Sequence, residues 1–166
     1  LPPSSVTAPD QFSRRIAGRR EELPKFAALL HDLHASGRLP DEVLHALCIV
    51  GDEIFNNLLA HAQGGGRDHE IGFLLRLFPG HVELEISDNG IGLSRDHQTA
   101  IFDRVYRVGS ELSRSHPGSG LGLYLAREIV QAHGGTIVAE SDGPGLGSRF
   151  VITLKMEPGN EDDTAS

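Results

Sequence analysis

A chain of 166 residues with 39% hydrophobic content can bury one core, so a single domain is the expectation. Its 23 acidic against 15 basic residues give a formal net charge of -8, which argues against non-specific nucleic-acid binding. The single cysteine, Cys48, excludes a disulfide within the chain and lies in an apolar helical run; no run of about eighteen apolar residues marks a membrane span, and no signal peptide is seen.

The chain opens Leu1-Pro2-Pro3-Ser4-Ser5 without an initiator methionine, which reads as a domain cut from a longer protein, with residues 1–10 as linker. A first helix is expected from about Glu21 to Ser36, stopped near Gly37. A longer one runs from Pro40 to about Gln63, with Leu44, Leu47, Ile54 and Leu58 at spacings of three, four and seven. On another stripe of that helix Glu53, Asn57 and His61 recur every four residues. Three polar side chains so placed can point into one cleft while the apolar stripe packs on a sheet; a solvated polar face is the alternative reading.

A hairpin follows: a strand from Glu70 to Phe78, a turn at Pro79-Gly80, and an alternating strand, Val82-Glu83-Leu84-Glu85-Ile86, that delivers Asp88 to its end. There Gly90 and Gly92 permit a tight turn, and a carboxylate in that place can accept a hydrogen bond from an adenine amino group. Strand-Asp-Asn-Gly is also a common turn signal, so Asp88 alone reads equally as a turn residue. Ser94 to Pro117 is of mixed polarity, with two short helical turns and Arg95, Arg104, Arg107 and Arg114.

Gly118-Ser119-Gly120-Leu121-Gly122-Leu123 then opens a helix whose bare N–H groups and positive dipole end favour phosphate oxygens. Taken singly this cluster is weak evidence, because it matches neither a phosphate-loop nor a dinucleotide fingerprint. Thr136 to Ser141 and Ser148 to Lys155 form a second hairpin around Gly143-Pro144-Gly145, and residues 157–166 read as an acidic, disordered tail. Helices on one face of a mixed, mostly antiparallel sheet make an α/β (α+β) two-layer sandwich.

The order of the pieces carries a resemblance. Glu53-x-x-x-Asn57, Asp88-x-Gly90-x-Gly92, Ile101-Phe102-Asp103-Arg104-Val105-Tyr106-Arg107, Gly118-Ser119-Gly120-Leu121-Gly122-Leu123 and Gly145-Leu146-Gly147-Ser148-Arg149-Phe150 resemble, in order, the N box, first glycine box, F box and two further glycine boxes of the GHKL ATPases. That superfamily holds gyrase, HSP90, histidine kinases and MutL, and the match runs from roughly Glu21 to Lys155. It implies the Bergerat ATP-binding fold over residues 11–156, with an ATP lid at about 94–117. The N-terminal half, through Asp52-Glu53-Ile54-Phe55-Asn56-Asn57-Leu58-Leu59-Ala60-His61-Ala62, resembles anti-sigma-factor serine kinases. The C-terminal half is similar to sensor histidine kinases, the branch favoured here because anti-sigma kinases generally lack an F box.

The resemblance implies ATP and Mg2+ as cofactors, and transfer of the γ-phosphoryl group to a protein side chain. Asp88, Gly90, Gly92, Phe102, Arg107, Gly118, Gly120, Leu121, Gly122, Leu123 and Ser148 are the implied ATP-binding residues, with Ser148 supporting Asp88. Asn57 is the implied metal ligand and Glu53 the catalytic group that positions or deprotonates the nucleophile. Laid on the histidine-kinase pattern, however, His61 falls on the metal-binding asparagine; Asn57 is preferred because an amide oxygen suits a hard cation better than an imidazole. Phe102 would also dock against phosphoacceptor helices. His31-Asp32 is similar to an acceptor pair, but a dimerising hairpin needs two long helices, so the acceptor is expected elsewhere. The expected partner is a dimerisation and histidine-phosphotransfer domain in two-component signalling. A sigma or anti-anti-sigma factor is the alternative, as is a nucleotide-gated module without transfer. The expected location is cytoplasmic, with no nucleic acid and no membrane contact.

Overall fold

In the computed structural model, which describes residues 8–62, 68–104 and 121–157, the elements run β1 (Asp10–Ala17), α1 (Leu23–Ala35), α2 (Asp41–Ala60), β2 (Glu70–Phe78), β3 (His81–Asp88), α3 (Arg95–Ala100), α4 (Gly122–Ala132), β4 (Thr136–Glu140) and β5 (Arg149–Lys155). One sheet has the order β1-β2-β3-β5-β4, and all four pairings are antiparallel. The two-layer α/β sandwich stands as expected. Its sheet has no parallel pairing among the described residues, a correction to the mixed sheet: β4 takes the edge and the hairpin returns β5 between β3 and β4, so both of its neighbours run opposite to it.

β1 is absent from the sequence expectations and starts at the last residue of the expected linker. It is an edge strand of which only Ile16 is buried, so its sequence carries little apolar alternation. Elsewhere period two is plain. Ile71, Phe73 and Leu75 of β2, Val82, Leu84 and Ile86 of β3 and Phe150, Ile152 and Leu154 of β5 are buried toward the helices.

Against them α2 lays Val43, Leu47, Val50, Ile54 and Leu58, all buried. Phe73 stacks on Phe26 of α1 at 4.7 Å and on Phe55 of α2 at 5.9 Å between ring centroids. Each such side chain contributes roughly 1.5–3 kcal/mol on burial, which fixes α2 over the sheet. α2 is long and apolar enough by composition to cross a membrane, with mean hydropathy 1.3, but half of that stretch is buried inside the protein, as a core helix requires.

The other sheet face is open and charged, as expected for an antiparallel sheet covered on one side. Arg76 pairs with Glu83 at 2.5 Å, Arg149 with Glu85 at 2.9 Å, and Arg149 also with Glu140, so ion pairs cross four strands.

Candidate nucleotide site

Asp88 ends β3, where its side chain is only 5% exposed yet surrounded by donors. Its Oδ1 accepts from the main-chain N–H of Ser148 at 2.8 Å and from the Ser148 hydroxyl at 2.7 Å. Its Oδ2 accepts from the N–H of Gly90 at 3.2 Å and from His69 Nε2 at 3.0 Å. A buried carboxylate is tolerated when its lone pairs are filled in this way. Ser148 supports Asp88 as the sequence suggested; His69 carried no local signal, since it lies in a loop 19 residues from its partner.

Glycine explains how two loops close on each other. Gly92 has φ +69°, and a Cβ there would lie 2.2 Å from the Gly143 carbonyl oxygen; Gly147 has φ +72°, and its Cβ would lie 2.1 Å from the Asp88 carbonyl oxygen. With no side chains in the way, Gly147 N–H reaches the Gly90 carbonyl at 3.1 Å and Gly145 N–H the Ile91 carbonyl at 2.6 Å. The turn after β3 and the loop before β5 therefore form one rigid floor.

Above that floor is a cleft lined by Asn57 and His61 at the end of α2, by Asp88, Gly92 and Ser148, and by apolar Ile91, Leu93, Ile101 and Phe150. The polar groups are those that the sequence singled out. The apolar walls were missed, because each reads locally as an ordinary turn, helix or strand residue. A carboxylate at the back of an apolar slot suits a planar base with an exocyclic donor.

Glu53 reaches the start of α4: a Cβ on Gly122 would lie 2.3 Å from its Oε2. The carboxylate thus packs on the first residue of a helix that has no acidic side chain in its first turn and no side-chain cap. The main-chain N–H groups and positive dipole end of a helix start suit an anion, and Glu53 stands beside this one. Leu121 precedes the helix as its N-cap, and the Leu123 side chain lies in the core, so only its main chain faces such an anion. Gly118, Gly120, Arg107, Arg114 and most of the expected lid lie outside the described residues.

Phe102 does not line the cleft. It is 5% exposed and packs edge-to-face on Phe150 at 6.3 Å, so it backs a wall of the site.

For a hard cation the donor set offers one amide oxygen, on Asn57, at the cleft, with His61 beside it. The His61 Nδ1 is 2.8 Å from the Asn57 carbonyl oxygen, which can only accept, so the ring is tied back to the helix through Nδ1–H. One amide oxygen suits magnesium when phosphate oxygens and water complete the shell. Among the described residues no group of three or more His, Cys, Asp or Glu could hold a metal without such help. Further back along α2, burial and then the Asp52 charge push the Cys48 thiol up, while burial raises Asp52 itself. A thiol so placed is less reactive, in keeping with a packing role.

A family model for histidine kinase-, DNA gyrase B- and HSP90-like ATPases matches residues 44–158. The sensor protein kinase WalK of Staphylococcus aureus is 31% identical over 150 residues, which cover 89% of this chain and 35% of that relative. In strain JH9 the same match covers 24% of the relative, so the chain spans about a third or less of the curated relatives it matches. Among solved structures, the mycobacterial sensor histidine kinase MprB superposes with a TM-score of 0.57 at 24% identity, over 89% of this chain and 99% of that one. Full-length ShkA in complex with AMPPNP gives 0.54 at 21%, over 81% of this chain and 29% of that one. Both likenesses are of fold.

Proposed function

The chain belongs to the histidine kinase-, DNA gyrase B- and HSP90-like ATPase family, and from that premise we propose that it is the ATP-binding catalytic domain of a sensor histidine kinase. It would pass the γ-phosphoryl group of ATP to a histidine on a separate phosphoacceptor domain. The observation that carries this is the meeting of Asp88 and Ser148 with Asn57 along one cleft with apolar walls, while Glu53, one turn back on α2, packs on Gly122 at the start of α4. Likeness to a sensor kinase over 89% of the chain takes in both halves, so a separate serine-kinase reading of the N-terminal half is unnecessary.

In this reading Asp88 accepts from the adenine amino group, Ile91, Leu93 and Ile101 exclude water from the ring, and the α4 N-terminus receives phosphate oxygens. Phosphoryl transfer demands alignment and charge neutralisation more than covalent help. Asn57 would hold magnesium, which when bound would supply neutralising charge to the phosphates. Glu53 orients the incoming imidazole or takes its proton. The partner is a dimerisation and histidine-phosphotransfer domain, the setting two-component signalling, and the location cytoplasmic, where ATP is at hand.

Incubation with ATP labelled on its γ-phosphate and an acceptor helical hairpin tests the reading. An acid-labile, base-stable phosphoprotein is expected. An acid-stable phosphoserine would place the chain with the anti-sigma kinases, and nucleotide binding without transfer would make it an interaction module.

A further inference from the structure

His69 stands behind the base-reading carboxylate, outside the cleft. Its side chain is 11% exposed, its Nε2 is 3.0 Å from Asp88 Oδ2, and it is absent from the cleft lining that includes Asp88 and Ser148. The hydrogen-bond chemistry assigns the tautomer. An ionised carboxylate only accepts, so Nε2 carries the hydrogen; Nδ1 is buried without a partner among the described residues.

The ring is wedged rather than draped. A Cβ on Gly18, just past β1, would lie 2.0 Å from His69 Nδ1, and one on Gly90 would lie 3.5 Å from Nε2. The flanking main chain is pinned as well. Gly18 N–H donates to the His69 carbonyl at 2.7 Å, Glu70 N–H donates to Asn89 Oδ1 at 2.8 Å, and Asn89 Nδ2 donates to the Asp68 carbonyl at 3.0 Å.

We propose that His69 is a positioning residue for base recognition: its Nε2–H, braced by Gly18, holds the Asp88 carboxylate in the orientation that receives the exocyclic amino group of adenine. This rests on the assignment of Asp88 to the base. A carboxylate has about four acceptor positions, and in this structure four donors approach them: Ser148 N–H and Oγ–H on one oxygen, Gly90 N–H and His69 Nε2–H on the other. An arriving amino group must displace or share one donor. Gly90 and Ser148 N–H are fixed by the main chain and His69 by packing, whereas the Ser148 hydroxyl lines the cleft and turns about one bond. That hydroxyl yields to the base while His69 keeps the carboxylate from turning with it.

The test compares ATP with the purine-riboside triphosphate that lacks the 6-amino group, by calorimetry on the whole chain. Wild type should prefer ATP by about tenfold or more, the worth of a charge-assisted hydrogen bond; equal binding would refute the role of Asp88 itself. Given that preference, His69→Ala should cut it to within about threefold while leaving the analogue's affinity unchanged, and His69→Gln, which keeps a donor, should restore part of it. A full preference in His69→Ala would overturn the proposal while leaving Asp88 as the base reader. Gly18→Ala, outside the cleft lining, should press on the ring and reproduce the loss; an unaltered preference there would count against the brace. Nitrogen chemical shifts of wild-type His69 at neutral pH supply a readout free of any folding defect. The Nε2–H form is expected, and the Nδ1–H form would overturn the proposal.

Discussion

Ser148 donates both its main-chain N–H, at 2.8 Å, and its hydroxyl, at 2.7 Å, to the same oxygen of Asp88, and the Asp88 N–H returns to the Ser148 carbonyl at 2.9 Å. These residues are 60 positions apart, so the contact is made by the pairing of β3 with β5 and by nothing local. It locks the end of one strand to the loop that begins the other. Asp88 is consequently both a reader of the ligand and a structural tie, and variants at this position should show two effects.

Asp88→Asn should lower ATP affinity by about tenfold or more, since a charge-assisted hydrogen bond contributes ~1.5–3 kcal/mol. It should also lower stability by about 1–3 kcal/mol, because an amide group brings donors toward a site where four donors already point inward. Calorimetry with ATP and urea unfolding of the free protein separate the two effects. Unchanged nucleotide affinity would remove Asp88 from the site.

Glu53 and Asn57, one helical turn apart, should divide by role. Asn57→Ala is expected to abolish the strengthening of ATP binding by magnesium, as it removes the amide oxygen at the cleft. Glu53→Gln should keep ATP affinity within a few fold and slow transfer by about a hundredfold, the usual scale for a general base. Were His61→Ala to lose the magnesium effect while Asn57→Ala kept it, the imidazole would be the ligand and the assignment would move by one turn.

The turn after β3 and the polar stripe of α2 were legible in the sequence because both obey local rules. Gly92 and Gly147 adopt positive φ, which favours glycine, and residues four apart on a helix share a face. The strand limits Glu70 and Phe78 fell where the alternation and Pro79-Gly80 placed them. What escaped depends on distant contacts. β1 is an exposed edge held by its pairing with β2, and nothing in Asp10–Ala17 alternates strongly enough to announce a strand. The apolar wall of Ile91, Leu93, Ile101 and Phe150 gathers a turn, the end of α3 and β5, and His69 meets Asp88 only when β2 pairs with β3.

Phe102 tests how the first part of the lid is anchored. The ring is buried against Phe150, so Phe102→Ala should cost about 3–5 kcal/mol of stability, and Phe102→Leu, which keeps most of the volume, less than about 1.5 kcal/mol. Thermal melts of the two variants check the pair. In Phe102→Leu the transfer rate separates anchor from docking site: a rate within a few fold of wild type fits an anchor. A loss of about thirtyfold in a stably folded variant would mean that the aromatic ring leaves the core to meet the phosphoacceptor helices, as an interface aromatic worth ~2 kcal/mol would require.

Acid should weaken the open face of the sheet. Hydrogen bonding to Arg149, opposed by burial and aided by the charges of Arg149 and Arg76, holds the Glu85 carboxyl below its ordinary value of 4.5. A carboxylate depressed in the folded state releases its proton more readily there than in the unfolded chain. Its stabilisation is therefore complete above the unfolded value and is lost as pH falls through the lower, folded one. Glu85→Gln should accordingly cost on the order of 1 kcal/mol at pH 7, given that Glu85 is 17% exposed and Arg149 41%. The gap between wild type and variant should hold down to about pH 5 and shrink below the mid-fours. Urea unfolding of both proteins at pH 7, 5 and 3 measures that gap. A difference that stayed constant to pH 3 would mean that Glu85 contributes packing alone, and that its charge adds nothing to the pairing of β3 with β5.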